Sequence, residues 1–435
     1  MICSRLRSVG IRIIVIIALV LGIFPFGGLY LQTQASDLSF RAGVGYELLS
    51  QEYFIDTVAF SGPDSVLSRW ALSTNYLDDM KAQIRIDWLP YDDRRLQLRG
   101  SWDQTNEFVR GRLTSQWRTP AGGGAIDLWS ELESKQRYRG EEEFGDSYWQ
   151  GWTRLKWTRP ISDRWSLIAQ GRADGVAFLR PADYNYSYYR VGGETGIQWL
   201  VGEFSIADAQ LFYYHREVPD SIDLNYESTG IQATLFGFMN HGDLDAFLRF
   251  ENKDYNRPDH RDDHVRLEAQ ARHNWRFGLT RHFLRQEIEY ESNNYHPEDR
   301  INFDYGRFEV AVLFGIQTGI LEVALGPRWE NLAEDEDTLL TGQDYNEYSA
   351  RADLNLISPP GWFISAESIT GRRDLQNEND YRSDYTFERI SLITDVDLGW
   401  GLNLNLLFSG EWEWHEVNRD DSRIFLLTTS LAYGF

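Results

Sequence analysis

Val265-Arg266-Leu267-Glu268-Ala269-Gln270-Ala271-Arg272-His273-Asn274-Trp275-Arg276-Phe277 decides the fold. Nearly every odd position is apolar, and every even one is polar or charged. A strand sends alternate side chains to opposite faces, so this stretch has one greasy face and one charged face. Wound as a helix, it would run those charges through the apolar side. The alternation recurs in Phe308, Val310, Val312, Phe314 and Ile316 against Arg307 and Glu309. It recurs again in Leu321, Val323, Leu325 and Trp329 against Glu322, Arg328 and Glu330, and in Ile390, Leu392, Val396, Leu398 and Trp400 against Arg389, Asp395 and Asp397. The chain reads as strands.

Turn signals alternate in kind between these strands. Pro90-Tyr91-Asp92-Asp93, Pro160-Ile161-Ser162-Asp163, Asn240-His241-Gly242-Asp243, Pro359-Pro360-Gly361 and Gly399-Trp400-Gly401 suit tight hairpins. Between them lie longer polar connections at 139–146, 256–263, 334–346, 376–384 and 418–422. Short turns alternating with longer loops are what an antiparallel transmembrane β-barrel requires, with the short turns on the periplasmic side. The all-β chain should hold about 20 strands, in the range of about 18–22 and even in number. The stretch from Val66 to Leu89 leaves the count open, because Asp78 and Asp79 could form a turn.

A mean hydropathy of −0.46 gives no hint of a membrane. Averages mislead for barrels, since a spanning strand of about 9–11 residues alternates lipid-facing with lumen-facing side chains. The one long apolar stretch runs from Ile13 to Leu31 behind Arg5, Arg7 and Arg12, and Thr33-Gln34-Ala35 offers small residues for cleavage. Residues 1–35 are therefore expected to be a cleaved signal peptide and residues 36–435 a single barrel domain. Cys3, the only cysteine, lies in the leader, so disulfides and thiol-ligated metal are not expected in the mature chain.

At the other end, Phe425-Leu426-Leu427-Thr428-Thr429-Ser430-Leu431-Ala432-Tyr433-Gly434-Phe435 again has mostly large apolar odd positions. The run resembles the closing strand of Gram-negative outer-membrane β-barrels of the porin-like superfamily, which end on an aromatic residue. The resemblance implies an outer-membrane location and makes Leu431, Tyr433 and Phe435 the signal read by the barrel-assembly machinery. Tryptophans fall into two groups, Trp88, Trp117, Trp157, Trp165, Trp199, Trp275, Trp362 and Trp400 beside tight turns and Trp149, Trp329, Trp412 and Trp414 near long loops. Two aromatic belts at the two lipid interfaces account for them.

With the apolar set facing lipid, the alternate set faces inward and is densely charged. Such a wall cannot be dry, because each unpaired buried charge costs several kcal/mol. It lines a water-filled channel or forms a lattice of ion pairs, and a barrel of about 20 strands leaves room for the channel. Early strands contribute pore-lining bases, Arg95, Arg99, Arg110, Arg112, Arg154 and Lys156; late strands contribute acids, Glu367, Asp395, Asp397, Glu411 and Glu413. The arrangement resembles the transverse field of diffusion porins. The net charge of −23, or −26 without the three leader arginines, then sits mainly on loops such as Glu141-Glu142-Glu143 and Glu334-Asp335-Glu336-Asp337. An acidic vestibule would concentrate cations.

Catalytic sets are not apparent. His273 reads as a belt residue beside Trp275 with no serine placed near it, and His260, Asp262, Asp263 and His264 read as a solvated loop rather than a metal site. No cofactor, metal or enzymatic activity is expected, and the acidity excludes a nucleic-acid footprint. The expected function is passive diffusion of small hydrophilic solutes with a preference for cations. The alternative is a polymer (polysaccharide) export port or a structural barrel of an envelope complex, with inward Trp129 and Phe247 as a sugar track. Expected partners are outer-membrane lipid, lipopolysaccharide and the assembly machinery, with homo-oligomerisation left open.

Overall fold

The chain alternates strand and reversal from end to end. In a computed structural model the described residues are 37–434 apart from 61–65, 90–94, 106–107, 138–146, 180–185, 220, 240, 257–262, 279–280, 296–303, 335–343, 360, 377–382 and 417–420, with backbone alone over 45–81. The proposed signal peptide, Phe435, His260, Asp262, the Glu141 triplet and Asp335 to Asp337 lie outside them.

Twenty strands follow in order: β1 (Asp37–Phe60), β2 (Val66–Leu89), β3 (Leu96–Gln104), β4 (Phe108–Ala121), β5 (Gly124–Arg137), β6 (Tyr148–Pro160) and β7 (Trp165–Phe178). Next come β8 (Tyr188–Leu200), β9 (Ile206–Glu217), β10 (Tyr226–Met239), β11 (Gly242–Tyr255), β12 (His264–Arg276), β13 (His282–Tyr295) and β14 (Tyr305–Gln317). The last are β15 (Leu321–Glu334), β16 (Tyr345–Ser358), β17 (Trp362–Leu375), β18 (Tyr385–Gly399), β19 (Leu402–His415) and β20 (Ser422–Gly434). Each pairs antiparallel with its neighbours in sequence, and β1 with β20, from Arg41 opposite Gly434 to Tyr53 opposite Ser422, closes the ring. A closed antiparallel barrel has no edge, which lets a sheet satisfy all its backbone groups in lipid.

The Val66–Leu89 stretch is one strand: Asp78 and Asp79 lie opposite Leu48 and Glu47 in mid-ribbon, with no turn there. Both strands of this first hairpin have 24 residues, whereas most of the others have 12 to 15. Pairing of β2 with β3 begins only at Ala82, so the β1–β2 ribbon continues beyond the barrel on the loop side.

Away from the strand ends, the exposed large apolar side chains and the ion-paired ones fall on opposite faces, as the two-residue period dictates. The outward set includes Leu113, Leu155, Leu211, Ile231, Leu248, Ile288, Val312, Leu325 and Leu431. Trp88, Trp165, Trp199, Trp275 and Trp362 point outward at the short-turn end, where Trp165 and Trp199 stack with ring centroids 5.3 Å apart. Trp400 is 94% exposed at the tip of its turn in the left-handed region (φ 55°), flanked by Gly399 and Gly401 with φ of 82° and 79°. Trp414 marks the other end. This outer surface is that of an integral outer-membrane barrel, with two aromatic belts around an apolar band.

Candidate functional site

With the apolar face outside, the register fixes the lumen wall. At about 4.8 Å per strand and a tilt of about 40°, twenty strands give a circumference of roughly 125 Å and a width of about 40 Å between opposite backbones. Side chains on both walls reduce that to a bore of roughly 25 Å. Apart from the projecting β1–β2 ribbon, the longest connections, at 138–147 and 335–344, have ten residues. Such a loop, tied at both ends, reaches about 17 Å at most.

Five of the six bases expected to line the pore, Arg99, Arg110, Arg112, Arg154 and Lys156, belong to this inward set. Arg95 precedes β3, and its carbonyl accepts the Arg118 N–H. Arg99 is bound to Asp87, which also takes Arg85 at 2.9 Å; Arg110 holds Asp103 at 2.8 Å; Arg112 holds Glu133 at 2.6 Å and faces Glu131 at 3.6 Å. The Arg154 guanidinium lies 4.3 Å over the Trp129 ring, and Lys156 has no carboxylate within ion-pair distance among the described residues. Arg99 and Arg112 meet Arg41 and Arg85 in a wall recess of about 480 Å³ that Asn403, Asn405 and Ser430 complete from the closing strands. Arg95, Arg110, Arg154 and Lys156 stand outside it.

The five acids also belong to the inward set, but they are engaged. Glu367 pairs with Arg351 at 2.9 Å and Glu411 with Arg389 at 2.6 Å; Glu413 accepts from Ser422 at 2.7 Å, Asp395 from Asn403 at 2.6 Å, and Asp397 from the Gly399 N–H at 2.8 Å. Strands β17 to β19 are separated from β3 to β6 by only β20, β1 and β2, so these two groups do not stand diametrically opposed.

The wall opposite β4 to β6 is β14 to β16; of its acids the sequence reading placed Glu309, Glu322 and Glu330 on the charged face without selecting them, read Glu334 as loop, and did not consider Glu347 and Asp353. Across β13 to β19 the inward carboxylates are Glu287, Glu289, Glu291, Glu309, Glu322, Glu330, Glu334, Glu347, Asp353, Glu367, Asp395, Asp397, Glu411 and Glu413, against only Arg285, Arg307, Arg328, Arg351, Arg373 and Arg389. Across β3 to β12 the described inward bases are Arg99, Arg110, Arg112, Arg118, Lys135, Arg154, Lys156, Arg172, Arg190, Arg216, Arg249, Lys253, Arg266, Arg272 and Arg276. They outnumber Asp103, Asp127, Glu131, Glu133, Asp174, Glu194, Asp208, Asp243, Asp245, Glu251 and Glu268. One half of the cylinder is net basic and the other net acidic.

The acidic half is tied into a lattice. Arg328 binds Glu309 at 2.6 Å together with Glu330 and Glu347; Glu347, fully buried, also takes Arg373 at 2.6 Å and Arg389 at 3.4 Å. Arg285 bonds to Glu322 and reaches Asp353 at 3.0 Å, while Arg351 reaches back to Glu287 at 2.7 Å. These last two bridges cross β14 and β15 from β13 to β16, three strand spacings or about 14 Å along the sheet, so the wall must bend inward there. Small or flat residues beneath permit the crossing. A Cβ on Gly326 would lie 1.9 Å from the Val312 carbonyl, and one on Gly315 would strike the Phe283 ring.

A second pattern lies at the loop end. Ser147-Tyr148, Ser187-Tyr188, Asn225-Tyr226, Asp263-His264, Asp304-Tyr305, Asp344-Tyr345 and Asp384-Tyr385 recur every 38 to 41 residues, once per hairpin. From the second onward, the short polar side chain accepts the N–H at the end of the outgoing strand: Phe178 on Ser187 (3.0 Å), Val218 on Asn225, Tyr255 on Asp263, Tyr295 on Asp304 and Glu334 on Asp344 (2.6 Å each), and Leu375 on Asp384 (2.8 Å). Asp421 repeats the bond to His415 at 2.8 Å. The aromatic residue that follows faces the lumen, and Tyr148, Tyr305 and Tyr345 donate their hydroxyls to Glu133, Glu291 and Glu330. Reading the sequence for strands alone missed this collar, although the repeat of a short polar residue before an aromatic was visible in it.

His273 points outward, 6.2 Å from Trp275, and His264 lies 5.0 Å from the Tyr295 ring. Among the described residues no group of three or more His, Cys, Asp or Glu could hold a metal ion.

No family model matches the chain, and no curated protein does. Solved structures do. A BenF-like porin from Pseudomonas fluorescens Pf-5 aligns over 92% of this chain and 99% of its own at 10% identity, with a TM-score of 0.47. Pseudomonas aeruginosa OprD aligns over 92% and 96% at 12% identity (TM-score 0.46), and Pseudomonas aeruginosa OccK2 (OpdF) over 92% and 98% at 10% identity (TM-score 0.49). The likeness is one of fold. What this chain's lumen does is argued from its own residues.

Proposed function

We propose that this barrel is a passive, porin-like channel for small hydrophilic solutes, driven by their gradients alone, and that it prefers cations. The observation that carries the reading is a closed ring of twenty strands whose described inward face is densely charged from β3 to β19, with connections too short to fill a bore of roughly 25 Å. A wall with a basic and an acidic half sets a field across the bore, which favours hydrated, dipolar solutes over apolar ones. Cation preference is supported by the surplus of carboxylates on β13 to β19 and by the rim carboxylates Asp263, Asp304, Asp344, Asp384 and Asp421.

A sugar track for polymer export is less well supported, because the Trp129 ring is already covered by Arg154. No catalytic step is assigned. Outward, we infer contact with lipid and lipopolysaccharide and recognition of the Phe435 end by the assembly machinery. Proteoliposome swelling tests the reading: vesicles carrying the barrel should swell in isotonic solutions of small sugars and amino acids, and progressively less as solute size rises. Absence of swelling with every solute would contradict it.

A further inference from the structure

Two stretches of the lumen mouth have the same plan with one difference. On β16 to β18, Arg373 lies between Tyr345 and Tyr385, with its Cζ 3.9 and 5.4 Å from the two rings. Glu347, opposite Arg373 in the register, neutralises it at 2.6 Å. On β8 to β10, Arg216 lies between Tyr188 and Tyr226, at 4.3 and 5.7 Å. Glu347 stands two residues after Tyr345, and the residue two after Tyr188, opposite Arg216, is Arg190. The acid of one copy is a base in the other. Like charges placed directly opposite are unfavourable.

Nothing among the described residues repairs the imbalance. Arg190 is taken by Asp174 at 3.0 Å, and its Cζ lies 5.6 Å from the Tyr214 ring. Arg216 has no carboxylate within ion-pair distance among the described residues, and its buried Nε lacks an acceptor among them. Lys253 on β11 sits 4.3 Å over the Tyr226 ring, likewise without an ion pair among the described residues. On the same inward face stand Glu251, two residues before it, and Arg266, opposite Glu251. Glu251 is held by Arg249 at 2.9 Å and by Ser228, and Arg266 by Glu291 at 3.0 Å. Two uncompensated cations therefore share one aromatic wall inside the mouth, where forked guanidinium donors and an ammonium suit an oxyanion.

We propose that Arg216 and Lys253, backed by Arg190 and Tyr226, form a binding site for the carboxylate or phosphate group of a solute entering the channel. The site deepens the channel reading by naming a solute class that dwells at the mouth. It faces the lumen, away from lipid headgroups, so the source is a dissolved anion. In a pore that prefers cations, occupancy registers as interruption of current.

The test uses inorganic phosphate and the full-length barrel refolded in detergent free of lipopolysaccharide. Calorimetric titration should show saturable binding to the wild type, at least about tenfold weaker in Arg216→Gln and in Lys253→Gln and unchanged in Arg373→Gln, whose cation is already neutralised. Heat-modifiable migration on gels verifies that each variant is folded. No saturable binding to the wild type overturns the proposal without recourse to any variant, and so does equal binding by folded Arg216→Gln. In planar bilayers, phosphate added on the loop side should interrupt wild-type current and spare the variants. Binding without any conductance would sustain the site and overturn the channel reading, whereas conductance without binding would do the reverse.

Discussion

Replacing Glu347 by Gln should be among the most damaging single changes in the lumen. The carboxylate is 0% exposed and serves Arg328, Arg373 and Arg389 together. Arg328 would keep Glu309 and Glu330, and Arg389 would keep Glu411. Arg373 would be left with its two ring contacts and a neutral amide oxygen in place of a carboxylate. Breaking a buried pair by removing one partner costs about 3–5 kcal/mol. Since two of the three guanidiniums retain acids, the lower end applies, about 3 kcal/mol, or roughly a hundredfold in the folded-to-unfolded ratio. Glu411→Gln supplies the comparison: its side chain is 35% exposed and it holds Arg389 alone, so it should cost no more than about 1 kcal/mol. Equilibrium urea unfolding in lipid vesicles, followed by tryptophan fluorescence, measures both. If Glu347→Gln unfolds at the same urea concentration as Glu411→Gln, the lattice is not what stabilises this wall and the reasoning fails.

Asp344→Ala should remove the acceptor of the Glu334 N–H at 2.6 Å, loosening the 335–344 loop while leaving the barrel intact; limited proteolysis of whole cells should cleave there several-fold faster, and an unchanged rate would count against the rim bond. Trp165 and Trp199, stacked at 5.3 Å, should show a coupling of about 0.5–1.5 kcal/mol in a double-mutant cycle to alanine read by urea unfolding, whereas additive losses would deny the contact any energetic role. Deleting Phe435, or changing it to Ser, should leave secretion intact and block insertion; wild-type amounts of heat-modifiable barrel in the outer membrane would refute its assignment as the assembly signal.

Strand positions, their inward and outward faces and the two tryptophan belts were legible because the pleat converts a period of two directly into two faces. Arg266 and Trp275 could be assigned without knowing any partner. Ion pairing was not legible, because it depends on register and on curvature. Arg285 and Asp353 are 68 residues apart in the chain and meet only where the closed sheet bends. For the same reason, bases and acids chosen by cluster along the chain gave sectors that lie too close around the ring, and the acids facing β4 to β6 turned out to be Glu309, Glu330 and Glu347. Asp78-Asp79 misled in the other direction: turn-forming residues sit in mid-strand, opposite Leu48 and Glu47, just beyond the point where β2 stops pairing with β3. The collar was written in the sequence as a repeat of about 40 residues per hairpin, but only the rim bonds explain why a short acceptor must precede each inward aromatic residue.

The central claim is a water-filled lumen whose walls carry the charge. Planar-bilayer recording with a KCl gradient at two mean ionic strengths tests it most directly. Discrete conductance steps should appear, with a reversal potential favouring K⁺ in dilute salt and fading toward 1 M, where the screening length falls from about 8 Å at physiological salt to about 3 Å. Silent membranes would contradict the open lumen, and an anion preference that persists at 1 M would contradict the assignment of selectivity to the acidic wall and rim.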